Sequence, residues 1–149
     1  MKPKNSPLTL VDINILASSV IAVPSPDGYD GELNSFQIDL EFDLYQQKED
    51  ESQFKVMVSI DGNDPKEPLP GYCFNLVAEG IFIYKNENCY KPDEKDLLLS
   101  NSAIPIVIGH LRSHLMTITA TGPYDKYILP VVDFSDLLQQ KNDRVKETK

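Results

Sequence analysis

The sequence predicts an α+β fold: a four-stranded antiparallel sheet, then a long broken helix, then a short C-terminal helix. Three observations predict it. Four segments before residue 85 alternate apolar and polar side chains with the period of two expected of half-buried strands. After Pro92 the apolar spacing changes to three and four residues, the period of a helix with one buried face. The residues at the junctions are those that turn or break a chain.

The first strand is read over Leu8–Val23, where Val11, Ile13 and Ile15 alternate with Asp12 and Asn14. A proline- and glycine-rich crossing loop, Pro24 to Gly31, follows it. The second strand has the cleanest alternation: Phe36, Ile38, Leu40, Phe42 and Leu44 against Gln37, Asp39, Glu41 and Asp43. The short, charged stretch Gln46 to Ser52 reads as a hairpin end, and Phe54 to Ile60 as the third strand. Asp61-Gly62-Asn63-Asp64-Pro65 begins a loop whose residues tolerate left-handed backbone. Its glycine and later acid are misplaced for a calcium-binding EF-hand loop. The fourth strand runs from about Tyr72 to Tyr84, with Phe74 and Leu76 on one face and Asn75 and Glu79 on the other.

Pro92-Asp93-Glu94 opens the long helix with acids in its first turn, where the helix dipole favours them. Ile104, Val107, Ile108, Leu111, Leu115 and Ile118 form its stripe, Pro105 predicts a break near Asn101–Pro105, and Gly122-Pro123 ends it. Asp133 begins the last helix, with Phe134, Leu137 and Leu138 on one face. The expectation is one domain over 1–149: sheet 8–84, long helix 93–121, C-terminal helix 133–143 and a frayed tail 144–149. Helices that follow the strands cover one sheet face. The other face, with Asp12, Asn14, Asp39, Glu41, Asp43 and Glu79, is expected to meet water.

The composition narrows the function. A net charge of −9 opposes binding to phosphate backbones, so nucleic acid is excluded as a partner. No apolar run reaches the length needed to span a bilayer, and the N-terminal lysines precede no apolar signal block, so a cytoplasmic protein without membrane insertion is expected. Cys73 and Cys89 read as reduced thiols, one in the sheet and one in a loop. Glycine-rich phosphate loops, serine-nucleophile elbows and zinc-protease motifs are lacking. His110 and His114 stand four apart on the helix, but no nearby acid or cysteine completes a metal site. No enzyme activity, metal or cofactor is expected.

What stands out is apolar content in loops, which are normally polar. The crossing loop carries Pro24, Pro26 and Tyr29, and the stretch between the helices reads Pro123-Tyr124-Asp125-Lys126-Tyr127-Ile128-Leu129-Pro130-Val131-Val132. Proline-stiffened apolar loops suit a subunit interface, a groove for extended polypeptide, or a cap on the domain's own core.

From about Leu8 to Gln140 the chain resembles the SecB family of export chaperones. The resemblance lies in strand order and in three local matches: Glu79-Gly80-Ile81-Phe82, the helix around Arg112, and Gly122-Pro123…Leu129-Pro130-Val131…Phe134…Leu137-Leu138. It implies a SecB-like ATP-independent holdase, a homotetramer built as a dimer of dimers, with grooves for unfolded clients. Carried over by position, the client-binding residues are Tyr29, Phe36, Ile38, Leu40, Tyr124, Tyr127, Ile128, Leu129, Phe134 and Leu137. Family members in export dock on SecA through acids on the exposed sheet face. Asp39, Glu41, Asp43 and Glu79 keep that face acidic here, but Ser18, Ala22 and Asn75 stand at the matching docking positions. Gly109-His110-Leu111-Arg112-Ser113 also departs from the family's helix. Some SecB-like proteins chaperone an aggregation-prone antitoxin, so the expected client is an antitoxin or an export preprotein. The other readings from the residues are an oligomeric adaptor and a small-ligand-binding α+β domain.

Overall fold

The computed structural model describes residues 1–3, 5–85 and 92–147. Cys89 and the last two residues of the expected tail lie outside them. Strands β1 (Leu8–Val23), β2 (Ile38–Gln46), β3 (Gln53–Gly62) and β4 (Gly71–Tyr84) form one antiparallel sheet in the order β1-β4-β3-β2, which leaves β1 and β2 at the edges. Helices α1 (Pro92–Leu98), α2 (Ile104–Thr119) and α3 (Phe134–Glu147) follow. The fold class is the expected one.

The core fills the space between one sheet face and α2. Phe54, Val56, Val58 and Ile60 of β3 and Phe74, Leu76, Ala78 and Phe82 of β4 are buried against Ile104, Val107, Ile108, Leu111 and Leu115. Gly80 sets how closely α2 approaches, because a Cβ there would stand 2.7 Å from both the Val107 side chain and the Phe82 ring. The predicted break at Pro105 takes the form of a π-helical turn over Leu99–Ala103 that joins α1 to α2. Proline lacks an N–H and its ring crowds the carbonyl of the preceding turn; the wider turn accommodates both without ending the helix.

Three sequence expectations need correction. In β1, register shifts at Leu10/Asp12 and Ile15/Ala17 leave Val11 and Leu16 as bulged residues, and each bulge switches the alternation between faces. Ile13 and Ile15 face the helices, but so do Ser18, Val20 and Ala22, which oppose the inward Leu76, Phe74 and Tyr72. Ser18 and Ala22 are therefore not on the open sheet face.

The second correction concerns Gly122. It does not end the helix through left-handed backbone, which in this region Asp125 adopts instead, at φ 55°. The space beside Gly122 is filled by the Tyr72 hydroxyl. The third concerns the C-terminus. Helix α3 continues through Glu147, beyond the expected end at residue 143. Asp133 caps it, accepting from the N–H groups of Ser135 and Asp136 at 3.0 and 3.3 Å. Near its far end, Lys141 and Arg144 reach carboxylates of β2.

Candidate functional site

The stretch from Gly122 to Val132 is held by the core beneath it. The Tyr72 hydroxyl shares its proton between the carbonyls of Asp125 (3.0 Å) and Thr119 (3.2 Å) and accepts from the Tyr124 N–H at 3.3 Å. The buried Thr119 hydroxyl donates to Leu115 O at 2.7 Å and accepts from the Tyr127 N–H at 2.8 Å. Farther along, Arg112 of α2 donates through its guanidinium to the carbonyls of Leu129 and Pro130, both at 3.2 Å. These bonds satisfy backbone groups that the loop would otherwise leave unpaired over an apolar core.

Pinned at both ends, the loop divides its apolar side chains between core and solvent. Leu129 points down and is 1% exposed, while Ile128 and Val131 point out at 57% and 93%. Tyr127 stacks on Phe36 with ring centres 5.8 Å apart and tilts on Phe74 at 5.2 Å. Burial pushes the Tyr127 phenol above its ordinary pKa. Tyr124 packs edge-on against Tyr72 and donates to Val23 O at 2.8 Å, so its polar end is tied to the end of β1.

Between this loop, α3 and the edge strand β2 lies a groove of about 420 Å³. Ile38, Leu40 and Phe42 with Asp39 and Glu41 form one wall; Pro130, Val131 and Val132 form the other; Leu137, Lys141 and Arg144 close its α3 side. Phe134 packs on Phe42 at 5.6 Å, and Lys141 stands 4.4 Å over the same ring. A second, shallower hollow of about 400 Å³ rounds the end of the sheet, where Phe36 and Leu69 are ringed by Asp39, Asp61, Asp64 and Glu67. Opposite-signed and apolar surfaces thus lie side by side, suited to an extended chain of mixed composition.

The structure distributes the sequence-derived client residues unevenly. Ile38 and Leu137 are half-buried and line the groove; Phe36, Tyr127 and Phe134 are half-buried outside its lining, Phe36 in the second hollow, and Ile128 is exposed. Leu129 and Leu40 belong to the core, and neither offers much surface to a client. The reason for Leu40 is its register, opposite the fully buried Ile60. Tyr29 sits apart on the crossing loop, its ring folded over Gly31 and its hydroxyl donating to Glu32 O at 3.3 Å.

The open sheet face is less simply acidic than expected. Glu79 pairs with Lys55 at 2.9 Å, Asp43 with Lys141 at 2.7 Å and Glu41 with Arg144. Asn75 donates to Asp61 at 2.7 Å. The same face also carries an apolar hollow of about 580 Å³ bordered by Tyr45, Met57 and Ile81, which the sequence reading missed. Its signal was present: β4 has Val77, Ile81 and Ile83 between its inward residues, so it is apolar on both faces. His114 bonds Ser18 across α2 and β1, with Nε2 and Oγ 2.9 Å apart, which occupies it in tertiary packing. Among the described residues, no group of three histidine, cysteine, aspartate or glutamate side chains could hold a metal ion. No described helix is long and apolar enough to cross a membrane.

No protein-family model matches the chain, and no curated protein does. Among solved structures, it is similar to the Mycobacterium tuberculosis SecB-like chaperone Rv1957 in complex with a ChAD peptide from the HigA1 antitoxin Rv1956. That likeness has a TM-score of 0.56 at 15% identity and covers 85% of this chain and 91% of the other. A protein of unknown function from Streptococcus agalactiae matches with a TM-score of 0.44 at 10% identity, over 83% of this chain and 97% of that one. The fold is SecB-like.

Proposed function

We propose that the chain is a molecular chaperone of the holding type, which binds unfolded segments of other proteins without nucleotide. The observation that carries this reading is the clamped loop. Tyr72, Thr119 and Arg112 fix its backbone, so Val131 stays in water at the groove, and Ile128 stays exposed on the same loop, instead of collapsing onto the core. Holding apolar side chains in solvent is unfavourable by about 25 cal/mol per Å² of apolar surface, and an arriving client recovers that energy. Apolar contact is non-directional, so many client sequences can be held. Cleft chemistry of the catalytic kind has no comparable support.

The likeness in fold to a chaperone solved with an antitoxin peptide supports an aggregation-prone antitoxin as the client. Export preproteins are the second client class. SecA docking is less favoured, because Ser18 and Ala22 turn away from the open sheet face and Asn75 stands where a docking acid is expected. On this reading the protein works in the cytoplasm as a homotetramer, with the long helix and β1 at subunit contacts.

The test is suppression of aggregation. A chemically denatured protein diluted into buffer with a stoichiometric amount of this chain, and no nucleotide, should stay in solution. Aggregation at the rate seen in buffer alone would sink the proposal.

A further inference from the structure

Helix α3 has two halves of different chemistry. Phe134, Leu137 and Leu138 pack against the core, and beyond them Lys141 and Arg144 reach Asp43 and Glu41 on β2. An apolar block followed by cations is the composition that the groove would select in a client, if the holding function proposed above is right. We infer that the basic half of α3 is an intramolecular competitor, which occupies the acidic margin of the groove until a cationic client segment displaces it.

Three features support this. The contact lies on the groove itself: Glu41 lines it, as do Lys141 and Arg144. The seating is specific rather than a diffuse attraction, because Lys141 stands over the Phe42 ring at 4.4 Å while its ammonium meets Asp43 at 2.7 Å. It is also releasable, because Asp43, Arg144 and Glu41 are exposed, Lys141 is only half-buried, and water-facing ion pairs are weak. A client bearing Lys or Arg would exchange one such pair for another at little cost, and its apolar block would add the net gain. A client without cations leaves α3 in place and must bind beside it. The device therefore sorts clients by charge and requires no movement of the core.

The experiment compares the full-length protein with Lys141→Ala/Arg144→Ala. Two fluorescent peptides serve as probes, each with an apolar Phe/Leu block followed either by two arginines or by two glutamines. Freed carboxylates should tighten binding of the arginine peptide by about three- to tenfold, the scale of one or two exposed ion pairs, and leave the glutamine peptide within about twofold. Lys2→Ala/Lys48→Ala removes the same charge from exposed positions elsewhere, and should change neither. Equal tightening of both peptides, or the same gain in the control protein, overturns the inference. Amide exchange along Gln139–Glu147 reads the contact without any client: it should accelerate in the double variant and, for the native chain, in high salt. Unchanged exchange in both cases also overturns it. Accelerated exchange in a protein that binds neither peptide would uphold the contact and remove the holding function instead.

Discussion

The hydroxyl of Tyr72 fills the space that a side chain at position 122 would need, so Tyr72 and Gly122 hold the end of α2 and the following loop in one fixed relation. That hydroxyl also joins Thr119, Tyr124 and Asp125. Gly122→Ala should therefore destabilise the fold by about 1–3 kcal/mol, the usual cost of overpacking. In a Tyr72→Phe background the added methyl should cost less, because the colliding oxygen is gone. Denaturant unfolding of the four proteins in a double-mutant cycle measures the coupling. Additive costs would refute the steric link.

Arg112 controls the other end of the loop. Arg112→Ala leaves the carbonyls of Leu129 and Pro130 without their donor, at a cost of about 1–3 kcal/mol for bonds to a charged group. Arg112→Lys can supply only a single ammonium in place of a planar fork and should recover part of this. Hydrogen exchange at Leu129, Val131 and Val132 should speed up in the alanine variant while exchange within β3 stays slow. Uniform acceleration would mean that Arg112 supports the whole fold rather than the loop.

Ile128→Asp and Val131→Asp separate stability from holding. Val131 lies in water and Ile128 is more than half exposed, so unfolding free energy should change by less than about 0.5 kcal/mol in Val131→Asp and by about 1 kcal/mol or less in Ile128→Asp. Each should nevertheless raise the amount of protein needed to keep a denatured client in solution. Full holding by the double variant would remove the loop from the client surface.

Alkaline pH supplies a test of the packing around Tyr127. Burial raises its phenol above the ordinary value of 10.0. Burial, and then the carboxylates of Asp64 and Asp61, raise the Cys73 thiol above 9.0. In both cases the folded state favours the protonated form more than the unfolded chain does. The stabilisation is complete below the ordinary values and is lost as pH climbs through the raised ones. Thermal midpoints should hold steady through neutrality and fall above pH 9.0, with a second decline above 10.0. Tyr127→Phe should flatten the second decline, and an unchanged alkaline limb would place that phenol in water.

Much of the fold was legible because its signals are local. The alternation in β2 and β3, the stripe from Ile104 to Leu115 and the cap at Asp133 each depend on neighbours within a few residues. The same locality misled at β1. Reading onward from Ile13 and Ile15 puts Ser18 and Ala22 on the open face, yet a bulge at Leu16 turns both towards the helices. Nothing near Leu16 announces that bulge, because it arises from the pairing of β1 with β4. The groove was legible only in part: composition located the loop, but not which of its side chains turn inward.

By itself, the sequence determined which segments are strands and helices, where the long helix is disturbed, and that an unusually apolar loop joins the last two helices. Local spacing and backbone chemistry suffice for those. Only the tertiary structure decided that Leu129 is buried while Val131 is exposed, that Glu41 and Asp43 are met by α3, and that Gly122 serves Tyr72 rather than a helix stop. Each of these depends on residues distant in sequence meeting in space, where steric fit, hydrogen bonding and charge act on partners that no local window contains.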